Sequence, residues 1–152
     1  YAKDVETRRS ISGWLTFLCG AVITTKSKMM PIVALSVTEA ELFAAVMCVQ
    51  DMLFIMRLLL SLGLQVELPM ILEIDNKGAK DLIDNWSVGG RLRHVEVKQF
   101  FLRELKEEGL LKVVWLNSTD NTADLFPKNL GGPLFTQHTW TVCGEDDYYA
   151  CN

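Results

Sequence analysis

With 152 residues, the chain is the size of one globular domain, and its composition of 49% hydrophobic and 22% charged residues is ordinary for such a domain. A net charge of −4 argues against nucleic-acid binding by broad electrostatic attraction, because that mode needs a basic face. The four cysteines form no CxxC pair and have no histidine at ligand spacing, which predicts reduced thiols. We therefore expect an intracellular protein, without distinguishing a cytoplasmic particle from the nucleus.

Two apolar features that could direct a chain to a membrane are weak here. Charged residues within the first nine positions leave no apolar stretch for a signal peptide. Residues 42–62 are long enough to span a membrane, but they carry Gln50, Asp51 and Arg57 near their middle. We expect no membrane partner. Small basic groups leave room for a local basic groove, at Arg8, Arg9, Lys26, Lys28, Arg91, Arg93, His94 and Lys98.

The first half of the chain predicts a hairpin followed by a long helix. Residues 12–28 are rich in β-branched and aromatic side chains on both sides of Gly20, which predicts two strands joined at that glycine. Ser36 and Glu39 have the spacing of a capping box, so a helix should begin at Val37. It should run to Leu62, before Gly63, and its apolar residues on nearly every face predict burial on more than one side.

The second half predicts alternating strands and helices. Strands are expected over residues 70–75 and 112–116, helices over about 77–86 and 95–107, and a short helix over 122–128. After 130 the periodicity fades, which predicts a domain over residues 1–130 and a flexible carboxy-terminal tail over 131–152. The order of elements indicates an α/β fold, with a mixed sheet covered by helices.

Three carboxylates stand out because their neighbours offer no structural partner. Glu41 has Val37 and Ala45 four residues before and after it, so it can form no i,i+4 ion pair. Asp75 ends an apolar strand, at the sheet edge where open α/β sheets place ligand-binding groups. Asp124 lies in the first turn of a short helix. Each also has a plain structural interpretation: an exposed acid near a helix amino terminus for Glu41 and Asp124, and an Asx turn for Asp75.

Taken together, the three acids indicate a metal site. Carboxylates without nitrogen or sulfur ligands suit hard cations such as magnesium or manganese. Clustered acids raise one another's pKa unless a cation neutralises them. Two such ions a few ångströms apart can activate water and stabilise the leaving oxygen of a phosphodiester.

Five motifs of the chain, in this order and spacing, are similar to one known family. They are TRRSISGW at 7–14, ALSVTEAE at 34–41, DN at 75–76, RHVEV at 93–97 and ADLFPK at 123–128. Together they resemble the ribonuclease H region at the carboxyl end of copia-type retrotransposon reverse transcriptases. The resemblance covers residues 1–130.

This resemblance implies a ribonuclease H fold that hydrolyses RNA in RNA–DNA hybrids, with four carboxylates and two magnesium or manganese ions. Glu41, Asp75 and Asp124 match three of the family's catalytic, metal-binding acids. It also implies substrate contacts by Asn76, Arg91, Arg93 and His94. The implied partners are the RNA–DNA hybrid and the reverse transcriptase portion of the same polyprotein.

The chain also departs from the family's pattern. The family's first catalytic aspartate lies on a central strand that would precede Tyr1, so we expect that strand and that ligand to be missing and the sheet edges beside them to be unpaired. No histidine occupies the loop before Asp124, where cellular ribonucleases H place one. Pro127 replaces the usual threonine and should shorten the last helix.

Two functional hypotheses follow. One is a ribonuclease H-type nuclease that is inactive or weak as this fragment. The other is a non-catalytic transposon remnant or interaction module of the same fold, completed by a partner strand or by self-association. A phosphotransferase is disfavoured, because the chain has no Gly-rich phosphate loop of the GxxxxGK type.

Overall fold

The computed structural model describes residues 8–85 and 93–144 and has an α/β architecture. Its strands are β1 (Ile11–Leu18), β2 (Ala21–Met29), β3 (Met70–Ile74) and β4 (Leu111–Trp115), and its helices are α1 (Val37–Ser61), α2 (Lys77–Asp84), α3 (Arg93–Glu107) and α4 (Gly132–Cys143). Two short 3-10 segments, Ser118–Asp120 and Thr122–Leu125, follow β4. The predicted hairpin, long helix and strand–helix–helix–strand order are confirmed.

The β1–β2 hairpin turns on two residues with left-handed backbone. Cys19 has a φ of 52° and Gly20 a φ of 83°, the combination that a two-residue type I′ turn requires. The strands pair antiparallel from Ile11 opposite Met29 to Leu18 opposite Ala21, with an irregularity between Thr16 and Phe17. The turn thus fixes which face of β1 meets the core.

Helix α1 begins as its capping box predicts. The Ser36 hydroxyl accepts a hydrogen bond from the Glu39 backbone N–H at 3.1 Å, and the Glu39 carboxylate accepts one from the Leu35 N–H at 2.7 Å. Glu39 is therefore a buried capping residue. Gly63, with a φ of 78°, follows the end of the helix.

The core lies where the first half of α1 packs against β1, β3, β4 and α3. The buried side chains of the main cluster include Trp14, Leu42, Val49, Leu72, Ile83, Leu102 and Leu111. The Trp14 indole N–H also donates to the Asp51 carboxylate at 2.8 Å, which ties β1 to α1.

The second half of α1 differs from the expectation of burial on more than one side. Phe54 is 67% exposed, and Leu58 and Leu60 are also exposed. By length and composition alone, α1 could cross a membrane. A single such helix is weak evidence for a membrane span, because core helices of soluble proteins can be equally long and apolar. The predicted burial on more than one side therefore holds for the first half of α1, whereas in the second half the core covers a side that includes Leu53.

Within the described ranges, the strands form two separate sheets. β1 pairs with β2, and β3 pairs parallel with β4 from Met70 opposite Leu111 to Ile74 opposite Trp115. The connection from β3 to β4 passes through α2 and α3. The Arg103 guanidinium joins these helices by donating to the carbonyls of Leu82 at 3.1 Å and Asn85 at 2.7 Å. The predicted mixed sheet is present as one antiparallel pair and one parallel pair, and the described strands do not join these two pairs.

Candidate active site

A cleft of about 320 Å³ opens between the first turns of α1, the start of β1, the end of β3 and the 3-10 segment Thr122–Leu125. Glu41, Asp75 and Asp124 all line this cleft. They come from three different elements that are far apart in sequence. The structure thus brings together the three acids that the sequence singles out, and we call them the acid cluster.

Each acid reaches the cleft because of local structure. Glu41 lies on the second turn of α1, after the capping box has fixed where the helix starts. Asp75 directly follows β3, and the Trp115 indole N–H donates to its backbone carbonyl at 3.1 Å. Asp124 lies in the 3-10 segment, where the Asn121 side chain donates to its carboxylate at 3.4 Å.

The simpler structural explanation for Asp75 does not hold. Asn76, not Asp75, caps α2, because the Asn76 side-chain oxygen accepts a hydrogen bond from the Ala79 N–H at 2.8 Å. The Asp75 carboxylate instead lies 3.8 Å from the Lys128 ammonium. Asn76 also lines the cleft. The cap uses one lone pair of that oxygen, which leaves its second lone pair and the side-chain NH₂ group for the predicted substrate contact.

Lys128 is a residue of the cleft whose role the sequence alone does not predict, although it is the last residue of the ADLFPK motif. Its ammonium lies 2.6 Å from the Asp124 carboxylate and 3.8 Å from that of Asp75. The expectation that Asp124 has no structural partner among its neighbours is therefore wrong, because the i,i+4 spacing of Asp124 and Lys128 places an acid and a base one turn apart. Among the described residues that line the cleft, Lys128 is the only base.

The electrostatics of the acid cluster remain unbalanced. Burial, and then the negative charges of Asp75 and Asp124, raise the pKa of Glu41 to about 7, although Lys128 acts in the opposite direction. Burial also raises the pKa of Asp124, against the hydrogen bond and charge of Lys128. One ammonium therefore neutralises only part of the charge of three neighbouring carboxylates.

Gly13 allows the Asp124 segment to approach β1 closely. A Cβ atom at Gly13 would lie 2.5 Å from Pro127 Cδ and 2.9 Å from both the Ala123 carbonyl oxygen and Phe126 Cβ. Only a residue without a side chain fits there. The glycine thus sets the distance between the hairpin and the segment that carries Asp124.

The segment around Asp124 is shorter than the predicted helix over 122–128. Only Thr122–Leu125 is helical, as a 3-10 segment, and Pro127 follows it, in agreement with the expected shortening. The next residues were expected to form a flexible tail, but residues 132–143 form α4. His138 of α4 is only 2% exposed, and its Nδ1 lies 3.3 Å from the Thr122 hydroxyl. Helix α4 therefore packs against the segment that positions Asp124.

The structure does not test the predicted substrate contacts of Arg91, Arg93 and His94. Arg91 lies outside the described residues. Arg93 and His94 begin α3, but the placement of their side chains is also outside what the structure describes. Their roles remain predictions.

The acid cluster has the chemistry that hard divalent cations prefer, because its ligand atoms are carboxylate oxygens. These carboxylates are partly buried and repel one another, so a bound cation would stabilise them. The arrangement is nevertheless not a closed metal site. Within residues 8–85 and 93–144, no three acidic, histidine or cysteine side chains are grouped closely enough to hold one ion. Lys128 occupies the position between Asp75 and Asp124 where positive charge is needed.

Comparison with known proteins identifies relatives of the chain. It is 34% identical over 127 residues to the retrovirus-related Pol polyprotein from transposon TNT 1-94 of Nicotiana tabacum, which covers 84% of the chain. It is 30% identical over 135 residues to the corresponding polyproteins from transposons RE1 and RE2 of Arabidopsis thaliana, which covers 89% of the chain. No protein-family model and no solved structure matches the chain.

The chain spans about one tenth of the length of these relatives. Their names specify the polyprotein and not the domain within it. The retrotransposon part of the resemblance drawn from the five sequence motifs is confirmed, and it agrees with a copia-type origin. The chain is a relative of one segment of the retrovirus-related Pol polyproteins of plant transposons.

Proposed function

We propose that the chain is a ribonuclease H-type domain that hydrolyses the RNA strand of RNA–DNA hybrids with magnesium or manganese ions. The observation that carries the proposal is the convergence of Glu41, Asp75 and Asp124 on one cleft. Three acids from separate elements would repel one another in a purely structural role, so their meeting needs a reason. The similarity to Pol polyproteins of transposons agrees with the resemblance, which implies such hybrids as the substrate.

In the proposed reaction, Glu41, Asp75 and Asp124 would hold the ions. Divalent ions bound there would lower the pKa of an attacking water and stabilise the leaving oxygen of the phosphodiester. Asp75 and Asp124 present carboxylates that are about nine-tenths buried, so their positions are set by the protein rather than by solvent. We assign substrate contacts to Asn76 at the cleft and to Arg91, Arg93 and His94 in and before α3.

The separation of the two sheets bears on what completes the domain. Among the described strands, β1 pairs only with β2, and β3 pairs only with β4. A strand between β1 and β3 would join the sheets into one and could bring a fourth carboxylate to the cleft. The resemblance implies such a strand, with the family's first catalytic aspartate on it. It also implies the reverse transcriptase portion of the same polyprotein as a partner.

The test is cleavage of a labelled RNA–DNA hybrid in magnesium by the chain alone and by the chain with its natural flanking segments. We expect the flanked form to cut only the RNA strand. The variant Glu41→Gln should reduce the rate by about 100-fold or more, whereas Glu73→Gln, at an exposed position of β3, should leave it unchanged. Single-stranded RNA and duplex RNA serve as substrate controls. Equal rates for wild type and Glu41→Gln, or no cleavage by the flanked form, would contradict the proposal.

A second candidate is a non-catalytic interaction module, and the separate sheets favour it. An unpaired strand edge offers a row of backbone donors and acceptors to another strand. Such a module would bind a strand-completing partner or self-associate. Sedimentation with and without the flanking segments tests self-association, and the cleavage assay separates the two candidates, since only the module should remain without nuclease activity in both forms.

A further inference from the structure

We propose that Lys128 is a displaceable internal counter-ion: its ammonium holds Asp75 and Asp124 together in the metal-free protein and withdraws when a divalent cation binds. This inference rests on the proposed function, because it assumes that the acid cluster takes up metal. It adds a role for a residue that is neither an acid of the cluster nor a predicted contact to nucleic acid.

The geometry shows that Lys128 bridges the two aspartates. Its ammonium is within hydrogen-bond distance of Asp124, at 2.6 Å, and within ion-pair distance of Asp75, at 3.8 Å. The Lys128 backbone N–H also donates to the Asp124 carbonyl at 3.1 Å, which keeps the two residues on one turn. The lysine is therefore a built-in part of the cleft and not a passing surface contact.

The lysine is the mobile partner in this contact. Its side chain is 42% exposed, whereas the side chains of Asp75 and Asp124 are 9% and 10% exposed. A lysine has four methylene groups and can move its charge into water, where it is strongly hydrated. The aspartates are short and fixed to the end of β3 and to the 3-10 segment. When a stronger cation arrives, the lysine can leave and the acids cannot.

An ammonium and a divalent ion cannot share these oxygens without strong repulsion. Two cations a few ångströms apart in a partly buried cleft are only weakly screened, and a divalent ion doubles the repulsion that a single charge would exert. Lys128 therefore competes with metal as long as it remains bridged. Removing its charge should raise metal affinity, even though the same change leaves the two aspartates unpaired in the metal-free protein.

The test measures Mn²⁺ binding through loss of the free-ion electron paramagnetic resonance signal at constant ionic strength. We expect Lys128→Met to bind Mn²⁺ about 10-fold more tightly than wild type, with a lower melting temperature in chelator. Lys128→Arg keeps the charge and should restore affinities close to wild type. Lys112→Met, at an exposed position of β4, is the matched control and should behave as wild type in both measurements.

Each outcome bears on the proposal. If Lys128→Met binds Mn²⁺ as wild type does, or more weakly, the lysine does not compete with metal and the counter-ion role is wrong while the metal site stands. If neither form binds Mn²⁺, the metal site of the proposed function fails and the counter-ion role fails with it. Should Lys128→Met not fold, Lys128→Gln replaces it, because glutamine can still donate a hydrogen bond to Asp124 without carrying charge.

Discussion

The substitution Glu41→Gln should stabilise the metal-free protein at alkaline pH while abolishing the proposed metal-dependent cleavage. In the fold, burial and the nearby charges of Asp75 and Asp124 raise the pKa of Glu41 from 4.5 to about 7. The folded state therefore binds the Glu41 proton more tightly than the unfolded chain does. Stability contributed by this proton is greatest at acidic pH and falls as pH rises from about 4.5 to 7, and the full penalty is present above 7.

The size of this penalty follows from the pKa difference. A shift of about 2.5 units corresponds to roughly 3 kcal/mol, an upper value because Glu41 is not completely buried. At pH 5 the same linkage leaves less than about 1 kcal/mol. Glutamine has a similar shape but carries no charge, so Glu41→Gln should remove most of the penalty. In a domain of this size the gain at pH 8 corresponds to a melting temperature about 5–10 °C higher.

The assay is thermal unfolding of wild type, Glu41→Gln and Glu73→Gln in chelator at pH 5 and pH 8. Glu73 carries the same substitution at an exposed position of β3 and should change stability by less than about 0.5 kcal/mol at either pH. Magnesium should then stabilise wild type more than Glu41→Gln at pH 8. A Glu41→Gln effect that is the same at both pH values, or a destabilisation at pH 8, would refute the reasoning.

Two further predictions concern packing and burial. Gly13→Ala should lower the free energy of unfolding in urea by about 1–3 kcal/mol, because its Cβ would overlap Pro127 and Phe126. The control is Gly132→Ala, which has open space around it and should change the free energy of unfolding by about 0.5 kcal/mol or less. Burial raises the pKa of Cys48 to about 12, so in native protein at pH 8 iodoacetamide should modify the exposed Cys19 and spare Cys48, as read by peptide mass spectrometry. Native modification of Cys48 at the rate of Cys19 would contradict its buried placement.

Elements with strong local signals could be predicted from the sequence. The hairpin turn is predicted at Gly20 because glycine readily adopts left-handed backbone, whereas the left-handed backbone of Cys19 has no such signal in the sequence. The capping box at Ser36 and Glu39 fixes where α1 begins, which in turn decides that Glu41, and not Glu39, faces the cleft. These features depend on residues within a few positions of one another, so a single sequence contains what is needed.

Helix α4 could not be predicted because it depends on distant contacts. It contains several threonines, which are weak helix formers, and a weak apolar pattern. Its burial comes from His138, which packs by Thr122 of the 3-10 segment. A helix of this kind forms because tertiary packing overrides local propensity. Similarly, α1 has apolar residues on nearly every face, so its sequence does not predict which half of the helix packs against the rest of the protein.

The acid cluster was predicted as a set, but its internal counter-ion was not. The spacing of Asp124 and Lys128 predicts that these two can pair on one turn, whereas the proximity of Asp75 to the same ammonium depends on how β3 meets the 3-10 segment. That meeting is a property of the tertiary fold. A sequence pattern can therefore identify acids that need a cation, but it does not reveal a cation that the chain itself supplies.

The packing around the cleft positions all three acids, whereas Lys128 pairs with only two of them. The Gly13 contact brings the Asp124 segment to the hairpin, the first half of α1 carries Glu41 on the core, and Lys128 offsets only part of the charge. The raised pKa of Glu41 shows that this arrangement opposes stability near neutral pH. A cation bound there, as proposed, would offset this repulsion and stabilise the fold, since ligands stabilise the state they bind. Glu41→Gln relieves the electrostatic repulsion among the three acids, and it should also remove the affinity for the divalent cations on which the proposed reaction depends.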